Sequence, residues 1–176
     1  AARALRQRYE DEVEAPVEAA SEQIARARFA SLGTSVYPDA TFTLRLNYGT
    51  VQGWSENSVA VEPFTQLSRL FERATGAEPF KVPASWERAK ATLDMSTRFN
   101  LATNNDIVGG NSGSALINAK GEVVGLIFDG NINSISGAYW FDTELNRAVA
   151  VDTTIIREAL RKVYDAKALA TEMGLR

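Results

Sequence analysis

The sequence predicts a mostly β fold with flanking helices, and three observations carry that expectation. Apolar residues recur every three or four positions over the first thirty residues and again over residues 155–163, the spacing of a helix face. Between these stretches lie short apolar or alternating runs, separated by turns rich in Gly, Asn and Asp, which is how strands and their connections read. A hydrophobic content of 45% in 176 residues supplies a sizeable core for one domain, or for one domain plus a fragment of another.

Taken in order, Leu5, Tyr9, Val13, Val17, Ala20 and Ile24 mark one face of an opening helix. Pro16 should kink or restart it, and Ser31, Leu32 and Gly33 end it. Tyr37, Pro38 and Asp39 form a turn, after which residues 41–47 alternate with Phe42, Leu44 and Leu46 on one side, the pattern of a strand with one buried face. Gly49 is expected at a bulge or bend, and residues 50–54 continue the strand or begin its partner. Residues 55–93 read as less regular, punctuated by Pro63, Pro79 and Pro83, with a short helix over 66–74. Phe64, Leu67, Leu70, Phe71, Phe80 and Trp86 are too many large apolar groups for a free loop, so this segment should cover the outside of the β structure.

Phe99 and Leu101 read as strand residues, Asn104, Asn105 and Asp106 as a polar turn, and residues 114–118 and 122–128 as two strands around a turn at 119–121. A Gly-containing segment at 129–131 and a loop at 132–136 follow. Tyr139, Trp140 and Phe141 suggest an aromatic core strand, and residues 148–151 a closing buried strand. Asp152 suits an N-cap, ahead of a helix carrying Ile155, Ile156, Ala159, Leu160 and Val163 on one stripe, with Arg161 and Lys162 late, where cations suit the helix dipole. A short helix and tail close the chain.

The stretch around which the chain is organised is Gly109, Gly110, Asn111, Ser112, Gly113, Ser114. Small residues this dense mean a backbone bent where side chains would obstruct it. One reading makes Ser112 a nucleophile with an outward Oγ, and the N–H groups of Gly110 and Ser112 a pair of donors for the oxyanion that forms when a hydroxyl attacks a carbonyl. The other reading is a Gly/Ser-rich turn between strands. No Gly-Lys-Ser/Thr follows, which argues against a phosphate loop.

Charge and composition narrow the classes further. The net charge is −3 and the pI about 5.1, which argues against a nucleic-acid-binding surface. No run approaches the roughly 18 apolar residues of a membrane span. There is no cysteine, hence no disulfide or thiol chemistry. There is also no histidine, although an activated serine ordinarily needs a neighbouring base. Lys120, the nearest lysine in sequence, belongs to a hairpin tip and should point to water.

Two runs carry a family resemblance: residues 109–131, GGNSGSALINAKGEVVGLIFDGN, and residues 37–51, YPDATFTLRLNYGTV. Together they closely resemble the bacterial dipeptidyl-peptidase 7 and 11 family, family forty-six of the serine peptidases, over roughly residues 35–165. Ala115 departs from the family, which usually has proline there. The resemblance implies a chymotrypsin-like C-terminal six-stranded β-barrel half over residues 34–165. Residues 1–33 would then end an α-helical insert domain, and residues 166–176 would be a tail behind the C-terminal helix. It implies that Ser112 attacks the carbonyl of a peptide's second residue, with Gly110 in the oxyanion hole. The catalytic His and Asp would lie upstream of residue 1, so the isolated chain should be inactive.

Around the nucleophile, the resemblance places Gly130 on the wall of the specificity pocket, with Phe128 and Asp129 beside it. Arg at that position accompanies acidic penultimate residues and Gly bulky hydrophobic ones, so release of dipeptides with a hydrophobic second residue is expected. Asp106 lies six residues before Ser112, where trypsin-like enzymes carry the floor of the primary pocket; the plainer reading is a turn aspartate. The alternatives are therefore a trypsin-like endopeptidase selecting Lys or Arg through Asp106, and a non-catalytic barrel used as a binding module. Peptides are the implied partners, with an N-terminal barrel and helical domain of the same protein. The resemblance also implies a homodimer in the periplasm or at the cell surface of a Gram-negative bacterium, and neither a metal nor an organic cofactor.

Overall fold

The computed structural model describes residues 2–33, 44, 46–137 and 140–175, and the chain divides into two units, Ala1–Thr43 and Leu44–Arg176. The first unit is helical. Helix α1 (Ala2–Tyr9) runs through a π-helical turn at Glu10–Glu14 into α2 (Ala15–Leu32). The wider turn has a local cause. Pro16 offers no N–H, and its ring crowds the carbonyl of Glu12, so the backbone opens and Ala15 N–H bonds Glu10 O, five residues back. Gly33 (φ 61°) ends the helix, its N–H on Phe29 O. Exposed pairs at (i, i+4), such as Arg6–Glu10 and Arg8–Glu12, line the surface. Leu5, Tyr9, Val13, Val17 and Ile24, the anticipated stripe, are exposed in this chain.

The second unit is built on a five-stranded antiparallel sheet and a separate hairpin. In chain order the strands are β1 (Trp54–Glu56), β2 (Val59–Val61), β3 (Phe64–Gln66), β4 (Arg98–Thr103), β5 (Ala115–Ile117), β6 (Val123–Gly130) and β7 (Ala148–Asp152). β1 and β2 pair as the hairpin; the sheet order is β3-β4-β7-β6-β5. Among the described residues the strands thus form an open sheet with a hairpin, where a closed six-stranded barrel was expected. Residues 148–151 fall in the last strand, buried as expected. β7 lies at the centre of the sheet, pairing Ala150 with Leu101 on one side and with Ile127 on the other. Its small Ala148 and Ala150, 1% and 0% exposed, let both neighbours pack closely.

Two clusters make the core. Leu101, Ile127, Ala148 and Ala150 hold one side of the sheet, with Phe64, Ile107 and Leu116 packed against them. Leu67, Ala89, Leu93 and Ile155 form the second, joined by Leu70, Phe71, Trp86 and Val163. Leu67 is fully buried, which for a large aliphatic side chain is worth about 1.5–3 kcal/mol. The second cluster explains the segment 55–93. Helices α3 (Ser68–Glu72) and α4 (Ala84–Ala89) pack with α5 (Thr153–Glu158) and the π-helical turn Ala159–Val163 that prolongs it. Asp152 caps α5 as expected: its Oδ1 accepts from Thr154 N–H at 2.8 Å, a bond typically worth about 1 kcal/mol. Helix α6 (Lys167–Glu172) ends the described chain, and none of the described helices is long and apolar enough to cross a membrane.

Other expectations need correction. Phe80 is 53% exposed and does not join the cover. Trp140 and Phe141 lie outside any strand, and Trp140 is 71% exposed, so this aromatic run is no core strand; Tyr139 is outside the described residues. Of the alternating stretch 41–47, residues 41–43 and 45 are also outside them, while Leu44 and Leu46 are exposed and unpaired in any strand. Gly49 is no bulge. It lies where the chain passes close to another segment: a Cβ there would meet Asn104 Oδ1 at 2.5 Å and Asn105 N at 3.0 Å. Residues 132–136, read as loop, form a 3₁₀ turn.

Candidate active site

The loop 104–114 runs between β4 and β5, and its ends are tied down. Asn104 N–H bonds Thr50 O (3.1 Å), and Asn104 Oδ1 accepts from Thr50 N–H (2.6 Å). Asn47 Nδ2 donates to Asp106 O, and Ile107 packs on the sheet's core cluster. The far end is held by Gly113 N–H on Ile127 O (2.7 Å) and by Ile127 N–H on Ser114 O (2.9 Å). Asn111 closes the loop on itself. Its Oδ1 accepts from Val108 N–H (2.9 Å), its N–H bonds Val108 O (3.1 Å), and its own O takes Ser114 N–H (2.9 Å). Gly110 (φ 105°) and Gly113 (φ 87°) take conformations that a side chain would strain, which is why glycines flank the serine.

These bonds leave two donors unspent. The N–H groups of Gly110 and Ser112 have no acceptor among the described residues. Ser112 is exposed, and its Oγ donates only to Phe128 O, at a long 3.4 Å. Lys120 sits exposed at the hairpin turn and makes no bond to Ser112. A hydroxyl presented to solvent beside two free N–H donors suits attack on a carbonyl, given a base.

β6 supplies the surface next to the hydroxyl. Its pairing with β7 slips between Ile127 and Asp129: Ile127 faces Ala150 and Asp129 faces Val149, so Phe128 is an extra, bulged residue. That frees the Phe128 carbonyl for Ser112 Oγ and leaves Phe128 45% exposed. The carboxylate of Asp129 turns back to accept from Gly130 N–H (2.8 Å). Gly130 pairs with Ala148 at the strand end. Asp106 is half-buried, with its carbonyl engaged by Asn47.

Behind this surface stands a network that single-sequence reasoning missed. Arg147, 1% exposed, donates Nε to Gly53 O (2.9 Å), Nη1 to Thr143 O (3.0 Å) and Asn146 O (2.7 Å), and Nη2 to Glu144 O (3.0 Å). Its partners are backbone carbonyls rather than carboxylates. Burial lowers the guanidinium pKa, with Glu144 and Asp142 acting in the opposite sense. Arg147 N–H reaches Asn131 Oδ1 (3.0 Å) and Ser134 Oγ (3.1 Å). Nothing in the sequence signals this arginine, since charged residues before an apolar strand are usually solvated.

A family model, Peptidase S46, matches residues 1–175. The chain belongs to the peptidase S46 family. Among its relatives, dipeptidyl-peptidase 7 of Phocaeicola vulgatus is 38% identical over 149 residues, covering 78% of this chain and 20% of that protein. The Asp/Glu-specific dipeptidyl-peptidase of Shewanella putrefaciens is 35% identical over 171 residues, covering 80% and 23%. The fold matches Porphyromonas endodontalis DPP11 in complex with the dipeptide Arg-Asp at a TM-score of 0.80 and 24% identity, over 90% of this chain and 24% of that one. The chain therefore spans about a fifth to a quarter of the length of these proteins.

Proposed function

We propose that this chain is the serine-bearing C-terminal part of a serine dipeptidyl-peptidase, with residues 34–165 forming the chymotrypsin-like half that carries the nucleophile. Residues 1–33 end a helical insert, and residues 166–176 are a tail. The observation that carries the reading is the exposed Ser112 hydroxyl beside the unspent N–H groups of Gly110 and Ser112 in a chain of the S46 family. Ser112 Oγ attacks the carbonyl carbon of the substrate's second residue, and its proton passes to a histidine supplied by a part of the polypeptide outside this chain. The oxyanion accepts from Gly110 and Ser112 N–H. Collapse of the tetrahedral species breaks the peptide bond, and the leaving amine takes the proton. Water then hydrolyses the ester and releases the dipeptide.

Phe128, Asp129 and Gly130 form the wall for the penultimate side chain. Gly130 brings no charge there, so apolar side chains are favoured by burial, by about 1.5–3 kcal/mol for a large one. The protein acts on peptides in the periplasm or at the cell surface, as a homodimer.

The test uses the polypeptide of the relatives' length that contains this chain. A fluorophosphonate probe should label Ser112, Ser112→Ala should abolish labelling, and the 176-residue chain alone should stay unlabelled. Dipeptidyl-coumarin substrates ending in Leu, Met, Phe or Tyr should be cleaved only with a free N-terminus. Equal cleavage of blocked substrates refutes the exopeptidase class. Preference for Lys or Arg, lost in Asp106→Ala, refutes the hydrophobic assignment.

A further inference from the structure

Ser134 stands where a side chain at position 130 would have to go. β6 ends at Gly130, two residues past the bulged Phe128 whose carbonyl meets Ser112 Oγ. The chain then folds back through the 3₁₀ turn Ile132–Ser136, with Ser134 N–H on Asn131 O (2.9 Å). A Cβ on Gly130 would lie 2.8 Å from Ser134 Cβ, closer than real Cβ contacts allow, and 3.4 Å from Arg147 O.

Ser134 cannot drift aside to make room. Its hydroxyl donates to Asn131 Oδ1 (2.8 Å), with Arg147 O as a longer second acceptor (3.3 Å), and it accepts from Arg147 N–H (3.1 Å). Asn131 is itself held through Nδ2 on Leu145 O (2.7 Å) and through Arg147 N–H on its Oδ1 (3.0 Å). Arg147 is fixed by its four carbonyls. The clash therefore involves a Cβ in a rigid frame, not the far end of a flexible side chain.

We propose that Ser134 is a specificity-determining residue: its Cβ reserves position 130 for glycine and thereby keeps a cation out of the wall beside Ser112. The proposal rests on the dipeptidyl-peptidase reading above. A cation at position 130, able to receive an acidic penultimate side chain, then requires loss of the Ser134 Cβ as well.

The experiment compares Gly130→Arg, Gly130→Arg/Ser134→Ala and Gly130→Arg/Ser134→Gly in the full-length polypeptide, on substrates with Leu, Phe, Asp or Glu as second residue. Gly130→Arg alone should lose activity on Leu and Phe without gaining Asp or Glu. Ser134→Gly should then raise kcat/KM for Asp and Glu by at least about tenfold, the scale on which a pocket discriminates one methylene group. Ser134→Ala should not, because it keeps the Cβ while removing the hydroxyl. A role limited to hydrogen bonding predicts that Ala and Gly behave alike, and that result overturns the proposal. So does a Gly130→Arg enzyme that selects Asp and Glu unaided.

If the arginine variants do not fold, Tm of Gly130→Ala, Ser134→Gly and the double variant reads the same contact. The double variant should recover most of the Tm lost in Gly130→Ala, and additive losses overturn the proposal. A wild-type enzyme inert towards every dipeptidyl substrate overturns the proposed function and the specificity role with it. An active wild type that fails the Ser134 comparisons overturns the Ser134 role alone.

Discussion

Replacing Arg147 with Met should destabilise the fold by about 3 kcal/mol, a figure that follows from the fate of four carbonyls. Met fills much of the same volume, so little cavity is created. Gly53 O and Asn146 O belong to half-buried and buried residues and lose their donors, while Thr143 and Glu144 are exposed and can be rehydrated. Each buried orphan costs about 1–3 kcal/mol. Against this, a buried cation disappears, and the lowered pKa of Arg147 says that burial is unfavourable to its charge.

Arg147→Lys is the informative partner. It retains the charge, loses the planar fork that reaches separated carbonyls, and should be no more stable than the Met variant. Urea titration of the chain, followed through Trp54, Trp86 and Trp140, measures both. With a slope of about 2 kcal/mol/M for a domain of this size, the midpoint should fall by about 1.5 M without a change in slope. Midpoints within about 0.2 M of wild type for both variants would refute the idea that this arginine clamps the 143–147 segment to Gly53. A Lys variant close to wild type beside a destabilised Met variant would show that charge, and not the fork, is what matters.

Two further outcomes are expected. Gly110→Val in the full-length enzyme should lower kcat by about 10²–10³, the usual cost of one oxyanion donor, because φ 105° cannot be kept by a β-branched residue and the N–H turns away; near wild-type kcat in steady-state assays would place the hole elsewhere. Asp94 accepts from the Ser96 hydroxyl (2.7 Å) and N–H (2.9 Å), which, with Lys162, hold its carboxyl below the ordinary 3.8. The folded state thus releases this proton more readily than the unfolded one, so the stabilisation is complete above the ordinary pKa and fades as pH falls through the lowered value. Asp94→Asn should flatten the Tm–pH curve below about pH 4, and an unchanged acid limb would show that the Ser96 bonds contribute nothing.

Local signals in the chain were read well because the forces behind them are local. Pro16 perturbs its own turn, Asp152 caps the helix two residues on, and the hairpin around 119–121 follows from a turn between apolar runs. The density of Gly and Ser around Ser112 likewise announced a bent backbone, since φ near +100° excludes most other residues. The hairpin β1–β2 and helix α4 were missed in a stretch broken by prolines, because their stability comes from packing and pairing rather than propensity.

Sequence by itself determined the elements with strong local patterns, the serine loop and the family resemblance. Tertiary structure alone decided the rest: that the last strand is central, that Phe128 is bulged towards Ser112, and that Ser134 fills the space beside Gly130. The first two depend on strand pairing between distant parts of the chain, where a one-residue slip moves a side chain to the other face, and the third on Asn131 and Arg147 holding Ser134 in place. The burial of Arg147 is of the same kind. Its four acceptors include Gly53, ninety-four residues away, and no pattern around position 147 encodes that meeting.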